Sequence, residues 1–155
     1  MTLDLPYPWI EDEQIQGNFD RIKTEWPEPQ SAWQDYTATV TTVTLGTGGT
    51  QVTRYAKIGR TVHCSGRITL GTGGSFTGSP VTISLPLAAA AYPAVGVATA
   101  NDVGTQNHIG AVNVAASATT FTCSFEGNTF LAATSPFTWG DTDILTWHVT
   151  YETAV

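Results

Sequence analysis

The stretch RTVHCSGRITL, residues 60–70, decides the fold. Val62, Cys64, Gly66, Ile68 and Leu70 alternate there with Thr61, His63, Ser65, Arg67 and Thr69. A period of two puts the first set on one face of a strand and the second set on the other. The closing stretch DILTWHVTYET repeats the pattern. Leu145, Trp147, Val149 and Tyr151 share one side; Thr146, His148 and Thr150 share the other. Between and before these lie YTATVTTVTL, TQVTRYAKIG, VTISLPL with Val81, Ile83 and Leu85, AVGVATA, HIGAVNVAA, and TTFTCSFEG with Phe121, Cys123 and Phe125. Seven or eight short strands with turn signals between them read as a β-sandwich or barrel. The expected class is mainly β, an antiparallel, jelly-roll-like β-sandwich over residues 35–155.

Working outward, composition agrees. The 155 residues are 41% hydrophobic, with 5 Trp, 5 Tyr and 6 Phe. A chain of this length buries roughly 68–70% of its unfolded surface, so a core forms without metals or disulfides. Only 12% of residues are charged, against about 25% in ordinary soluble domains. Thr, Ser, Asn and Gln supply the polarity, which suits sheets. The net charge of −7 excludes a nucleic-acid partner, which calls for basic patches. The longest apolar stretch, LPLAAAAYPAVGVA, is too short to span a bilayer and carries Pro86 and Pro93, so no membrane role is expected. The opening MTLDLPYPWIEDE is acidic where a secretory leader is basic, and folding in a cytoplasm is expected.

Residues 1–34 are a different kind of object. Asp4, Glu11, Asp12, Glu13, Asp20, Glu25, Glu28 and Asp35 place eight acids in residues 1–36, against Arg21 and Lys23. Pro6 and Pro8 keep the start extended. Ile15, Phe19, Ile22 and Trp26 then follow at spacings of four, three and four, the stripe of one short amphipathic helix. Pro27 ends it. Such a helix is marginal alone. Its stripe packs either on its own β-domain or against symmetry mates or a larger assembly. Ile15, Phe19, Ile22 and Trp26 are therefore the candidate assembly or anchor residues.

The sequence TLGTGG occurs twice, at Thr44–Gly49 and Thr69–Gly74. Neither copy opens a helix or precedes Lys-Ser or Lys-Thr, as a phosphate loop requires. The flanks do not match, so there is no duplication. Both read as glycine turns between strands, punctuating hairpins.

No catalytic constellation is legible. His63 and His148 sit on polar strand faces, His108 starts a strand, and neither GxSxG nor HExxH occurs. Asp141-Thr142-Asp143 reads as a calcium or sugar contact or, more simply, as turn chemistry. Glu126 and Glu152 are not visibly paired. Cys64 and Cys123 both point to apolar faces and read as buried thiols, with no CxxC and so no zinc site. No cofactor and no metal is expected. Phe137 and Trp139 share one side of SPFTWGDTD, where a tryptophan beside an aspartate suits a sugar ring or a core position. The loop AYPAVGVATANDVGTQNH adds polar groups. Tyr92, Asn101, Asp102, Asn107, His108, Trp139 and Asp141 are the candidates for receptor or glycan contact.

Several of these segments resemble a β-rich domain of bacteriophage virion proteins, in particular tail-fibre, tail-tip and head-fibre proteins. The series is Trp33 to Tyr36-Thr37, then Tyr55-Ala56-Lys57-Ile58-Gly59-Arg60-Thr61-Val62, then Ser84-Leu85-Pro86, then Ser135-Pro136-Phe137-Thr138-Trp139 with Gly140-Asp141, and a closing Thr150-Tyr151-Glu152. Ile15-Gln16-Gly17-Asn18-Phe19-Asp20-Arg21-Ile22 is similar to the short helix that opens many phage tail proteins. Ala38 stands where that group often has Pro, and Trp139 precedes Gly140-Asp141 without a spacer. The resemblance implies a non-enzymatic, homotrimeric virion protein made in the host cytoplasm. Its partners would be its own copies, other tail or capsid-shell proteins, and a host cell-surface glycan. A tail-tip or fibre module is the first expectation and a capsid decoration or head-fibre protein the second. A carbohydrate-binding module or glycan hydrolase is the alternative of another class.

Overall fold

The computed structural model describes residues 32–154. The expected arm and helix, with Ile15, Phe19, Ile22 and Trp26, lie outside the described residues. The rest is mainly β and antiparallel. In chain order the strands are β1 Gln34–Asp35, β2 Val43–Thr44, β3 Thr50–Ile58, β4 Thr61–Thr69, β5 Ser75–Phe76, β6 Thr82–Ser84, β7 Ala94–Asp102, β8 Gln106–Val114, β9 Thr120–Phe125, β10 Thr129–Phe130 and β11 Ile144–Glu152. A single 3-10 turn, Glu126–Asn128, separates β9 from β10.

The large sheet runs β1-β3-β4-β11-β7-β8-β9-β10, with β6 also paired to β9. The alternation read from residues 60–70 is realised on β4, where Val62, Cys64, Gly66 and Ile68 are buried and Arg67 is exposed. β11 repeats it, with Leu145, Trp147, Val149 and Tyr151 buried and His148, Thr150 and Glu152 exposed. Their registers agree: Trp147 lies opposite Gly66 and Val149 opposite Cys64. Gly66 is required by that pairing, because a Cβ there would stand 2.1 Å from the Trp147 ring. Trp147 also meets Phe121 of β9 at 5.8 Å. In the sheet β9 is separated from β11 by β7 and β8, so this contact crosses the interior. The architecture is sandwich-like.

Segment 34–41 joins the two margins of the sheet. Gln34 and Asp35 pair with Tyr55 and Arg54 of β3. The Tyr36 N–H then donates to the Thr53 carbonyl at 3.1 Å, and the Thr53 hydroxyl donates back to the Tyr36 carbonyl. A few residues on, the partner is β6. Ser84 N–H donates to Thr39 O and Thr41 N–H to Thr82 O, both at 2.9 Å, and Val40 bridges Ile83. YTATVTTVTL is thus not one strand, as its composition suggested, but a connector with two different partners followed by β2.

The twin TLGTGG turns are also a correction. They do not close hairpins between the strands they join. β3 pairs with β4 through the turn at Gly59-Arg60, while β2 pairs with β5 in a separate two-stranded sheet. Each TLGTGG is a corner where the chain passes between the large sheet and the small one. The two corners bind each other: Thr47 and Thr72 exchange N–H···O bonds of 2.9 and 3.0 Å, and Gly71 N–H donates to Leu45 O at 2.7 Å. The backbones approach so closely that a Cβ on Gly71 would lie 2.2 Å from Thr47 O, and one on Gly46 2.5 Å from Gly74 N. The repeat is therefore a self-complementary staple.

Candidate functional site

β7 and β8 are a nine-residue hairpin in full register, from Ala94 opposite Val114 to Asp102 opposite Gln106. That register sorts the seven candidate contact residues. Asn101 and Asn107 face each other across the hairpin near its turn, beside Asp102. The loop carrying Trp139 and Asp141 and the Gly71–Gly74 corner lie at this same end, joined by the bonds described next. Tyr92 precedes β7 at the opposite end, beside a recess of about 380 Å³ with Thr61, Thr150, Tyr151 and Glu152. Nine residues of strand separate the ends by about 30 Å. The seven residues do not form one site.

At the loop end the organising group is Asp143, which is buried. Its Oδ1 accepts the Val103 N–H at 3.0 Å and its Oδ2 accepts the Gly140 N–H at 2.7 Å. Asp141 Oδ1 accepts the Gly73 N–H at 3.0 Å. Two carboxylates thus tie three turns together: the β7–β8 turn, the 139–143 loop and the second glycine corner. Main-chain bonds add to them, from Leu70 N–H to Asp143 O and from Thr142 N–H to Leu70 O, at 2.9 and 3.0 Å. The Asp-Thr-Asp turn therefore bonds main chain, one partner local and two from distant turns. No group of three or more His, Cys, Asp or Glu that would hold a metal ion occurs among the described residues.

Of the two settings expected for Trp139, the structure gives it the core position. It is 5% exposed. Its ring meets Phe76 edge-on at 4.8 Å and Phe137 at 4.5 Å, and its indole N–H donates to Ser135 O at 3.2 Å. His108 stacks on Phe137 at 5.4 Å, with Nδ1 buried and without a partner. The run His108, Phe137, Trp139, Phe76 plugs this end of the fold. A ring placed so offers no face to a ligand. Asn101 and Asp102 are half-buried and Asn107 is exposed, so of these three Asn107 is the most open to solvent.

Elsewhere the interior holds chemically capable groups in quiet settings. Cys64 and Cys123 are buried and unbonded to each other. Burial lifts the Cys123 thiol to about 12. Burial also raises Cys64, against the opposing hydrogen bond of Tyr36. The Tyr36 hydroxyl lies 3.2 Å from Cys64 Sγ, and Tyr151 donates to Leu87 O at 2.8 Å. Burial pushes both phenols well above their ordinary range. A thiol held neutral is a poor nucleophile.

No family model, no curated protein and no solved structure matches the chain.

The residues that the sequence did not single out are outward-facing aliphatics. Val52, Val95, Val97 and Ile109 are exposed. They occupy the polar-face positions of their strands, so their parity against Thr53, Ala98 and Val112 was the available signal.

Proposed function

We propose that this chain is a non-enzymatic structural protein of a bacteriophage virion. The β-domain projects as a trimeric tail-tip or fibre module, and residues 1–34 form an arm and short helix that hold it in place. On this reading Ile15, Phe19, Ile22 and Trp26 are the anchor, and the sandwich is jelly-roll-like. The observation that carries it is the use of the polar side chains. Asp141, Asp143, Trp139, Tyr151 and Thr53 each bind main chain of their own domain. Such side chains hold loops rigid, and their polar atoms face the domain's own backbone. A charge-poor β-domain whose loops are tied to its strands suits exposure outside a cell. The sequence resemblance at Tyr55–Val62 supports the same reading.

The test is location. Antibody labelling of purified particles from the source phage should mark the tail or head fibres, and Phe19→Ala with Trp26→Ala should abolish incorporation. Absence of the protein from intact particles would sink the proposal. Labelling spread over the shell would favour a capsid decoration protein.

A second reading, glycan contact, is favoured by one observation. Tyr92 is 73% exposed beside the Thr61–Glu152 recess, and an aromatic ring presented to solvent suits a sugar face. A glycan array on wild type and Tyr92→Ala tests it.

A further inference from the structure

The ladder between β7 and β11 stops before either strand does. β11 pairs with β4 along its whole length, from Ile144 to Glu152, and β7 pairs with β8 along its whole length, from Ala94 to Asp102. Between β7 and β11 the register ends at Val97 opposite His148. Gly96 sits at the fork, where an added Cβ would lie 2.3 Å from His148 O. Beyond it no register pair joins 94–96 to 149–152. The Tyr92 recess of about 380 Å³ occupies this opening, lined by Thr61, Thr150 and Glu152 on one side and by Pro93 and Ala94 on the other. A second recess, of about 360 Å³, lies against the same Pro93 and Ala94 but toward β8, β9 and β10, where Asn113, Thr122, Asn128 and Phe130 line it. Both volumes fall in the ~300–1,000 Å³ range of ligand sites. Each recess carries one solvent-facing ring, Tyr92 at 73% exposure and Phe130 at 46%. Two strand spacings, about 10 Å, separate them across the sheet.

The chemistry of the rims selects the occupant. Among the residues lining the two recesses, Glu152 alone is charged, and Arg60 balances it at 3.9 Å. Arg60 is itself steadied by donation from its Nε to Thr153 O at 3.3 Å. A carboxylate and a guanidinium side by side cancel in charge while each presents a plane of hydrogen-bonding atoms. The remaining polar groups are hydroxyls and amides. Asn113 donates to Ser124 Oγ at 2.9 Å, which fixes its amide plane beside the second recess. A charged ligand finds no unbalanced charge here. An apolar ligand would strip water from hydroxyls and amides without replacing it. An inserted peptide strand is opposed by Ala90, whose N–H already donates to Glu152 O at 2.7 Å. A sugar ring meets both demands, since its apolar face lies on an aromatic ring and its hydroxyls reach the rim. A single ring does not cover both recesses; a short chain of rings does.

We propose that the Pro93–Ala94 ridge and its two recesses bind a neutral oligosaccharide. One ring stacks on Tyr92 with its hydroxyls on Glu152, Arg60 and Thr61. A ring further along the chain packs on Phe130 beside Asn113 and Asn128. This rests on the reading of Tyr92 as a glycan contact, and adds a second subsite and the charge and length of the ligand.

The experiment uses the full chain. The panel holds glucan, mannan, galactan and chitin oligosaccharides from monosaccharide to hexasaccharide, with sulfated and sialylated glycans alongside. A neutral oligosaccharide should bind at least about tenfold more tightly than its own monosaccharide. Calorimetric titration of that ligand should show losses of at least about tenfold for Tyr92→Ala and for Phe130→Ala. Tyr92→Phe, which keeps the ring, should retain binding. Val103→Ala, at an exposed position in the distant β7–β8 turn, should bind as wild type does. Circular dichroism should be unchanged in all four variants. Equal affinity for monosaccharide and oligosaccharide, a preference for sulfated or sialylated glycans, or an equal loss in Val103→Ala would each overturn the proposal. If Tyr92→Ala abolishes binding and Phe130→Ala leaves it intact, the Tyr92 contact stands and the second subsite falls. If no member of the panel binds, both fall.

Discussion

The two ends of the β-domain are closed by different means. At the loop end, glycine corners, two carboxylates and a four-ring aromatic stack lock turn to turn. At the other end, the segment around Leu87–Ala90 crosses beneath β11. Tyr151 donates to Leu87 O, Ala90 N–H to Glu152 O at 2.7 Å, and Thr153 N–H to Arg60 O at 2.8 Å. The first closure depends on backbone surfaces that tolerate no added atom. The second depends on single hydrogen bonds beside small alanines. Steric closure fails abruptly under substitution, whereas hydrogen-bond closure fails by degrees.

The comparison is broken most directly at Gly71. Gly71→Ala forces a methyl group against the Thr47 carbonyl at 2.2 Å, an overpacking expected to cost about 3 kcal/mol. Gly73→Ala meets nothing within 4 Å but has φ +76°, and should cost about 1–2 kcal/mol for its left-handed backbone alone. Chemical denaturation of both variants reads the difference; equal losses would remove the staple from the account. Asp143→Asn comes next, since it replaces one of the two oxygens of a buried carboxylate that accept the part-buried Val103 and Gly140 N–H groups, for about 2 kcal/mol. Hydrogen exchange should accelerate at Val103 and Gly140 before it does at Leu87. At the other end Tyr151→Phe removes one donor to Leu87 O, and a loss of about 1 kcal/mol is expected. A Tyr151→Phe effect larger than that of Asp143→Asn would invert the ranking of the ends.

The smallest effect at neutral pH becomes visible in alkali. Burial raises the folded-state pKa of Tyr36, Tyr151 and both cysteines. A group whose folded pKa is raised contributes fully below its unfolded value and loses that contribution as pH climbs toward the folded one. For Cys123 the window runs from 9.0 to about 12. Stability should be flat from pH 7 to 8.5 in these groups and fall above pH 9. A thiol reagent at pH 8 should label neither cysteine until denaturant is added. Rapid native labelling would contradict the buried setting.

The legible part of this molecule was its periodicity. The alternations on β4 and β11 transfer directly into buried and more exposed faces, because a strand's side chains have only two directions. Pairing was less legible. Nothing local in YTATVTTVTL says that Tyr36 bonds to Thr53 while Thr39 bonds to Ser84; those partners are 17 and 45 residues away and are chosen by the rest of the sheet. The glycine turns were correctly separated from phosphate loops, but their mutual binding depends on three-dimensional approach. Among the candidate contacts, Trp139 was weighed between core and ligand, and only Phe76 and Phe137 decide it. Tyr92 and Asn107 fall at opposite ends because strand length, not loop composition, sets distance.

Segment 34–41 has a mechanical consequence. It lies near the start of the described chain, and it is bonded to both margins of the sheet. Tension applied from the N-terminal side enters the domain through this connector before any other strand. While its bonds to β3 and β6 hold, neither margin is free to peel or to accept a foreign strand there. Once they part, both margins open together. The domain would then yield in one step at a defined load, in the manner of a clasp.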